Sequence, residues 1–97
     1  MTQPQAVKVN VVHRPDFREG YANSVQMRVN LWDFYLEFGL VNQNTPDAVT
    51  IETFQGVYLS PQQAKALLNV LQQNVSQYEG AFGEIKLDPR ATIGPVQ

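Results

Sequence analysis

Apolar and polar positions divide the chain into one long helical stretch and several shorter alternating ones. From Ser60 to Gly83, Ala64, Leu68, Leu71, Val75, Tyr78 and Phe82 recur at spacings of four and three. That is a heptad-like seam, widened at its N-terminal half by Leu67 and Val70. Ser60 can accept from the free amide of Gln62 or Gln63, and Pro61 suits the first helical position. The predicted helix ends at Gly80 or Gly83, where glycine accommodates the left-handed closing turn. At 1.5 Å per residue it would be about 33 Å long, more than short strands need for cover. Part of the seam is therefore expected to meet another chain, the alternative being that all of these residues are core of a monomer.

Elsewhere the period is two. Val7, Val9 and Val11 alternate with Lys8 and Asn10, which predicts a strand over Ala6 to Val12. Val25, Met27, Val29 and Leu31 alternate next, and the phase slips at Trp32-Asp33 before resuming with Phe34, Leu36, Phe38 and Leu40. A slip of one residue sends every later side chain to the opposite face, so either a tight turn or a bulge must lie at Leu31-Trp32-Asp33. The turn is favoured, because Asn30 can begin one and Asp33 tolerates its geometry. Trp32 is expected to pack over the core or its rim; fully exposed, it would be a natural contact residue. Val41 to Asp47, with Asn42, Gln43, Asn44, Thr45 and Pro46, reads as a loop. Val49, Ile51, Val57 and Leu59 form a further strand pattern, interrupted at Phe54-Gln55-Gly56 by a bulge or a second hairpin turn. Glu84 to Leu87 suits a short edge strand or a strap.

These elements predict an α+β domain over residues 6–87, with an antiparallel sheet of about four strands and one long C-terminal helix packed on it. Residues 1–5 read as a disordered lead-in and residues 88–97 as a flexible tail. One domain is all that 97 residues support. A sheet with one helix leaves its second face open, which again points to a partner.

Composition narrows the function. There is no cysteine, hence no disulfide, thiolate metal site or thiol nucleophile. A formal charge of −2 and scattered Lys and Arg argue against an electrostatic nucleic-acid binder. Arg28 and Tyr35 alone come near the aromatic-plus-basic pattern of a sheet that stacks bases. No signal peptide or apolar span is visible, so no membrane association and a cytoplasmic location are expected.

Catalytic candidates are few. His13, Asp16 and Glu19 stand three apart, but Pro15 and Gly20 oppose the helix that would gather them around a metal. Asp33 and Glu37 would lie near each other in a hairpin, where a carboxylate pair could act only if burial separated the two pKa values; solvation is the expected state. Ser24, Ser60 and Ser76 suit strand-entry, cap and helix-surface positions. No glycine-rich phosphate loop occurs. The expectation is a protein without enzymatic activity, cofactor or metal.

Several stretches resemble a small bacterial family catalogued as a domain of unknown function, number thirty-four sixty-seven. They are Tyr21-Ala22-Asn23, Trp32-Asp33-Phe34, Leu36-Glu37-Phe38-Gly39, Leu59-Ser60-Pro61, Ala64-Lys65, Leu67-Leu68, Gln73-Asn74, Tyr78-Glu79 and Phe82-Gly83-Glu84-Ile85. The likeness covers Tyr21 to Ile85 and departs at Asn30-Leu31, where family members often carry Ser-Pro. It implies no activity and supplies no catalytic residues. The element order, a sheet ahead of a long helix, is also similar to that of SecB-type export chaperones, which assemble through both.

Two functions follow as expectations. One is an oligomeric interaction module, SecB-like in binding a protein or an unfolded polypeptide. The other is a structural or accessory subunit of a larger homo-oligomeric or phage-like assembly. Leu68, Leu71, Val75, Tyr78 and Phe82 are the expected assembly residues, and Trp32, Phe34, Phe54 and Tyr58 the expected lining of a partner groove.

Overall fold

A computed structural model describes residues 6–87. The lead-in expected at residues 1–5 and the tail expected at 88–97 lie outside the described residues. Three strands and one helix follow in order: β1 (Ser24–Val29), β2 (Phe34–Thr45), β3 (Ala48–Leu59) and α1 (Pro61–Phe82). The strands form an antiparallel meander in the order β1-β2-β3.

The first hairpin turn has a local cause. The Asn30 side-chain oxygen accepts from the backbone amides of Trp32 at 2.7 Å and Asp33 at 2.9 Å, while the Asn30 amide donates to the Asp33 carbonyl at 3.0 Å. The phase slip is thus a turn, the favoured alternative. The second connection is Pro46-Asp47, enclosed by the pair Thr45 and Ala48. The positive φ angles that the tightest hairpin turns need occur at no residue but Gly83 among those described, and the ladder is irregular between Gln43 and Thr45. The expected loop at Val41 to Asp47 is therefore corrected: Val41 to Thr45 is strand. Asn-rich composition is overridden there by a complete partner strand and by side-chain bonds, Asn23 Oδ1 accepting from the Val41 amide at 2.8 Å and Asn42 donating to Glu52.

β3 is one continuous strand, so the interruption at Phe54-Gln55-Gly56 is a bulge and not a second turn. Phe38 pairs with Gln55 and Gly39 with Thr53, leaving Phe54 as the extra residue. Gly56 itself stays in the ladder opposite Glu37.

The helix starts and ends as its sequence predicts. Ser60 Oγ accepts from the Gln63 amide at 3.1 Å, and Gly83, at φ 103°, donates to the Glu79 carbonyl at 2.9 Å. Gly80 lies inside the helix. Residues Glu84 to Leu87 form no strand; the Ile85 amide is tied back to the Glu79 carboxylate at 2.9 Å, so this stretch is a strap.

Two expectations about packing change. Ala6 to Val12 is not a strand here, since none of its residues pairs with the sheet, and Val7, Val9, Val11 and Val12 are 78–84% exposed. The expected α+β order of an antiparallel sheet and then one helix holds, with three strands among the described residues against about four expected. The helix, expected along the sheet, meets it through β3, and half-burial is confined to Pro61, Ala64, Leu67 and the distant Glu79. No helix residue is buried. Leu36, 6% exposed, is the one buried hydrophobic side chain among the described residues.

Candidate functional site

Strand register sorts the sheet into two chemically distinct faces. Val29, Phe34 and Leu59 stand in line, as do Met27, Leu36 and Val57, and Val25 continues the row opposite Phe38. This face is apolar, and Leu36 is its centre. The alternate positions put Gln26, Arg28, Tyr35, Glu37, Gly56 and Tyr58 on the other face.

The second face carries a cluster of polar and aromatic side chains. Arg28 lies over the Tyr35 ring, its guanidinium carbon 4.5 Å from the centroid, and the Tyr58 ring is 4.6 Å away at a tilt of 42°. The Tyr35 hydroxyl donates to a Glu37 carboxylate oxygen at 2.9 Å. That bond holds the Tyr35 pKa above the ordinary tyrosine value, helped by partial desolvation and by the Glu37 charge, with Arg28 opposing. Gly56 makes room for this arrangement, because a Cβ there would come within 2.8 Å of a Tyr35 ring carbon. The cluster is a platform of two rings, a guanidinium and a carboxylate, tied together by the Tyr35–Glu37 hydrogen bond. Glu37 is engaged by Tyr35 rather than by Asp33, which sits in the 30–33 turn, so the imagined carboxylate pair is not assembled.

The four expected groove residues do not converge. Phe34 is on the apolar face and Tyr58 on the opposite one. Phe54 occupies the bulge, its ring 3.3 Å from where a Cβ on Gly20 would lie. Trp32, at the turn, is 78% exposed, which overturns core or rim packing. Asn30 explains this, since its two amide bonds fix the turn with Trp32 projecting beyond the sheet's end. By contrast, the helix residues lie in one row. Leu68, Leu71, Val75, Tyr78 and Phe82 are each between 40% and 76% exposed, with the Tyr78 and Phe82 rings 4.9 Å apart.

His13 stacks on Phe17 at 4.1 Å, and Arg14 pairs with Asp16 at 3.3 Å in an exposed loop. Among the described residues no group of three or more His, Asp or Glu is placed to hold a metal ion. Nor is any helix long and apolar enough to cross a membrane. Sequence reasoning set Arg28 beside Tyr35 but did not bring Glu37 and Tyr58 to them; the signal lacking was the β2–β3 register that adds Tyr58.

Residues 1–87 match the family described as a protein of unknown function, DUF3467. The chain belongs to this family. The match extends the resemblance at both ends, taking in the Ala6 to Val12 segment as part of the DUF3467 unit. No curated protein and no solved structure matches the chain, so the likeness to SecB-type chaperones gains nothing from these comparisons.

Proposed function

We propose that this DUF3467 chain is a non-enzymatic, self-assembling interaction module whose copies join through the helix row and which binds another protein or an extended polypeptide. The observation that carries the reading is the uncovered row Leu68, Leu71, Val75, Tyr78 and Phe82 beside a single buried hydrophobic side chain among the described residues. Five such side chains at these exposures leave on the order of 600 Å² of apolar surface per chain in water, most of the roughly 800 Å² per partner in a standard interface. The 3-4-3-4 spacing is that of a seam between two helices. A large apolar face on an otherwise polar helix is characteristic of subunits whose core is completed by association.

The alternative reading, a structural or accessory subunit of a larger assembly, draws support from the scatter of Trp32, Phe34, Phe54 and Tyr58. Aromatics spread over a turn, a bulge and two faces suit contacts between several copies better than one client groove. In the SecB-like version, an extended polypeptide would instead lie on the apolar sheet surface.

Light scattering on a sizing column, over a wide concentration range, tests the shared premise. A stable multiple of 10.9 kDa is expected, and a mass of one chain throughout overturns self-assembly. Adding a reduced, alkylated and unfolded polypeptide to the assembled protein then separates the two readings. Co-elution favours the binding module, and its absence at saturating concentration favours the structural subunit.

A further inference from the structure

The segment before the sheet is built like a strand but is unpaired among the described residues. Val7, Val9 and Val11 alternate with Lys8 and Asn10, and the four valines of this arm are 78–84% exposed. Period-two patterning in β-branched residues suits a pleated, half-buried surface. A free strand of this kind is an adhesive element unless it is paired.

The sheet has a matching vacancy. β1 is an edge strand, with β2 on one side only. It is six residues long, as is Val7 to Val12, and it repeats the same pattern: Val25, Met27 and Val29 on the apolar face, Gln26 and Arg28 on the other. Val25 and Val29 are each 56% exposed, although their face is the one that holds Leu36. A fourth strand beside β1 with its valines on that face would extend the apolar row and place Lys8 and Asn10 among polar neighbours. The other edge, β3, is less suitable. Its ladder is broken by the Phe54 bulge, and the chain at Gly20 already lies against the Phe54 ring.

The arm is unpaired with its own β1, and the chain that joins the two passes against β3. Asn23 donates to the Gly39 carbonyl at 3.1 Å, but three residues earlier Gly20 lies against a side chain of β3. A further turn, in which the Phe17 amide donates to the Arg14 carbonyl at 2.9 Å and His13 stacks on Phe17, then sets the arm's exit.

We propose that Val7 to Val12 is a strand-exchange arm that pairs with the exposed edge of β1 in a second copy of the chain, reciprocally in a two-fold dimer. Each copy thereby gains its fourth strand from its partner, and the exchange covers the β1 edge of both copies through two symmetry-related contacts. This inference rests on self-assembly, and it assigns a second contact that is independent of the helix row.

The absence of native cysteine makes disulfide trapping clean. Single variants Val7→Cys, Val9→Cys and Val11→Cys are each mixed with Val25→Cys, Met27→Cys and Val29→Cys, oxidised, and resolved without reductant. Arm-to-β1 dimers linking different chains are expected, together with slowing of amide exchange across Val7 to Val12 by at least about a hundredfold relative to an unstructured peptide. The nine combinations cover either strand direction and neighbouring registers. An assembled protein whose arm amides exchange freely, or in which no mixed pair is trapped, overturns strand exchange while leaving assembly through the helix intact. Disulfides formed only within a chain, tested in the Val9→Cys, Met27→Cys double variant, overturn it in favour of self-pairing. A single-chain mass for the unmodified protein overturns both readings.

Discussion

Tyr35 and Glu37, two residues apart on β2, point to the same face of the sheet and share a hydrogen bond of 2.9 Å in which the tyrosine donates. The bond favours the protonated phenol, so the folded-state pKa of Tyr35 stands above its unfolded value. Its contribution to stability is therefore fully present below the ordinary tyrosine range and is lost as pH rises through the raised folded value. In Glu37→Gln the carboxylate charge is gone, and the Tyr35 titration should fall back toward that of an ordinary tyrosine. Absorbance at the tyrosinate band, with Tyr35→Phe to assign the transition among the four tyrosines, provides the check. An unchanged late-titrating tyrosine in Glu37→Gln would mean that the bond does not set the pKa.

Gly39 and Gly56 both sit opposite close neighbours, but of different kinds. A Cβ on Gly39 would lie 2.7 Å from the Glu52 carbonyl oxygen and 3.1 Å from the Thr53 Cα, whereas a Cβ on Gly56 would meet the Tyr35 ring. Backbone in a ladder cannot move aside, and a ring can. Gly39→Ala is expected to destabilise by about 2–4 kcal/mol and Gly56→Ala by about 1 kcal/mol, measured by denaturant unfolding at one fixed chain concentration. In a Tyr35→Ala background the cost of Gly56→Ala should largely vanish while that of Gly39→Ala persists. Equal costs in both backgrounds would show that Gly56 is required for something other than the ring.

Asn30→Ala removes the one side-chain oxygen that accepts two hydrogen bonds in the first hairpin turn, and Ser60→Ala removes the cap of α1. Each should lower stability by about 1 kcal/mol. The two differ in spectroscopic signature. Asn30→Ala should change the Trp32 fluorescence directly, and Ser60→Ala should first release the amides of the opening helical turn to exchange. Loss of amide protection across the whole helix in Asn30→Ala at low denaturant would argue that the turn and the helix unfold as one unit.

Leu71→Glu with Tyr78→Glu places two charges in the helix row, while Gln72→Glu with Gln77→Glu adds the same charge elsewhere on the helix. The first pair should reduce the assembly mass at a concentration where the second leaves it unchanged. If both pairs keep the full mass, copies do not meet through this row.

The helix was the most legible part of the sequence because its signals are local. Ser60, Pro61 and Gly83 act on backbone groups within one turn, and no tertiary contact is needed to interpret them. The first hairpin was legible for the same reason, through Asn30. The strand from Val41 to Thr45 was not, because Asn and Gln there are held in the ladder by β3, a partner that composition does not reveal. Phe54 and Gly56 were recognised as an irregularity, yet which of them bulges depends on pairing across to Phe38 and Gly39. Among site residues, the row from Leu68 to Phe82 was correctly placed on one helix face, since period alone determines it. Trp32, Phe34, Phe54 and Tyr58 were grouped by chemistry, and register then separated them.

Leu36 has a consequence for how the chain must live in a cell. Burying one leucine side chain contributes about 2 kcal/mol, and the other apolar side chains of the described residues are left partly in water. Ordering the backbone opposes folding by roughly 1–2 kcal/mol per residue, so a solitary chain has little margin. If association supplies the remainder, folding is at least second order, and each tenfold dilution of copies removes about 1.4 kcal/mol from the folded state. Gene dosage would then act as a stability parameter: chains made in small numbers would be cleared by proteases, and the protein would persist only where enough copies are synthesised close together to find one another.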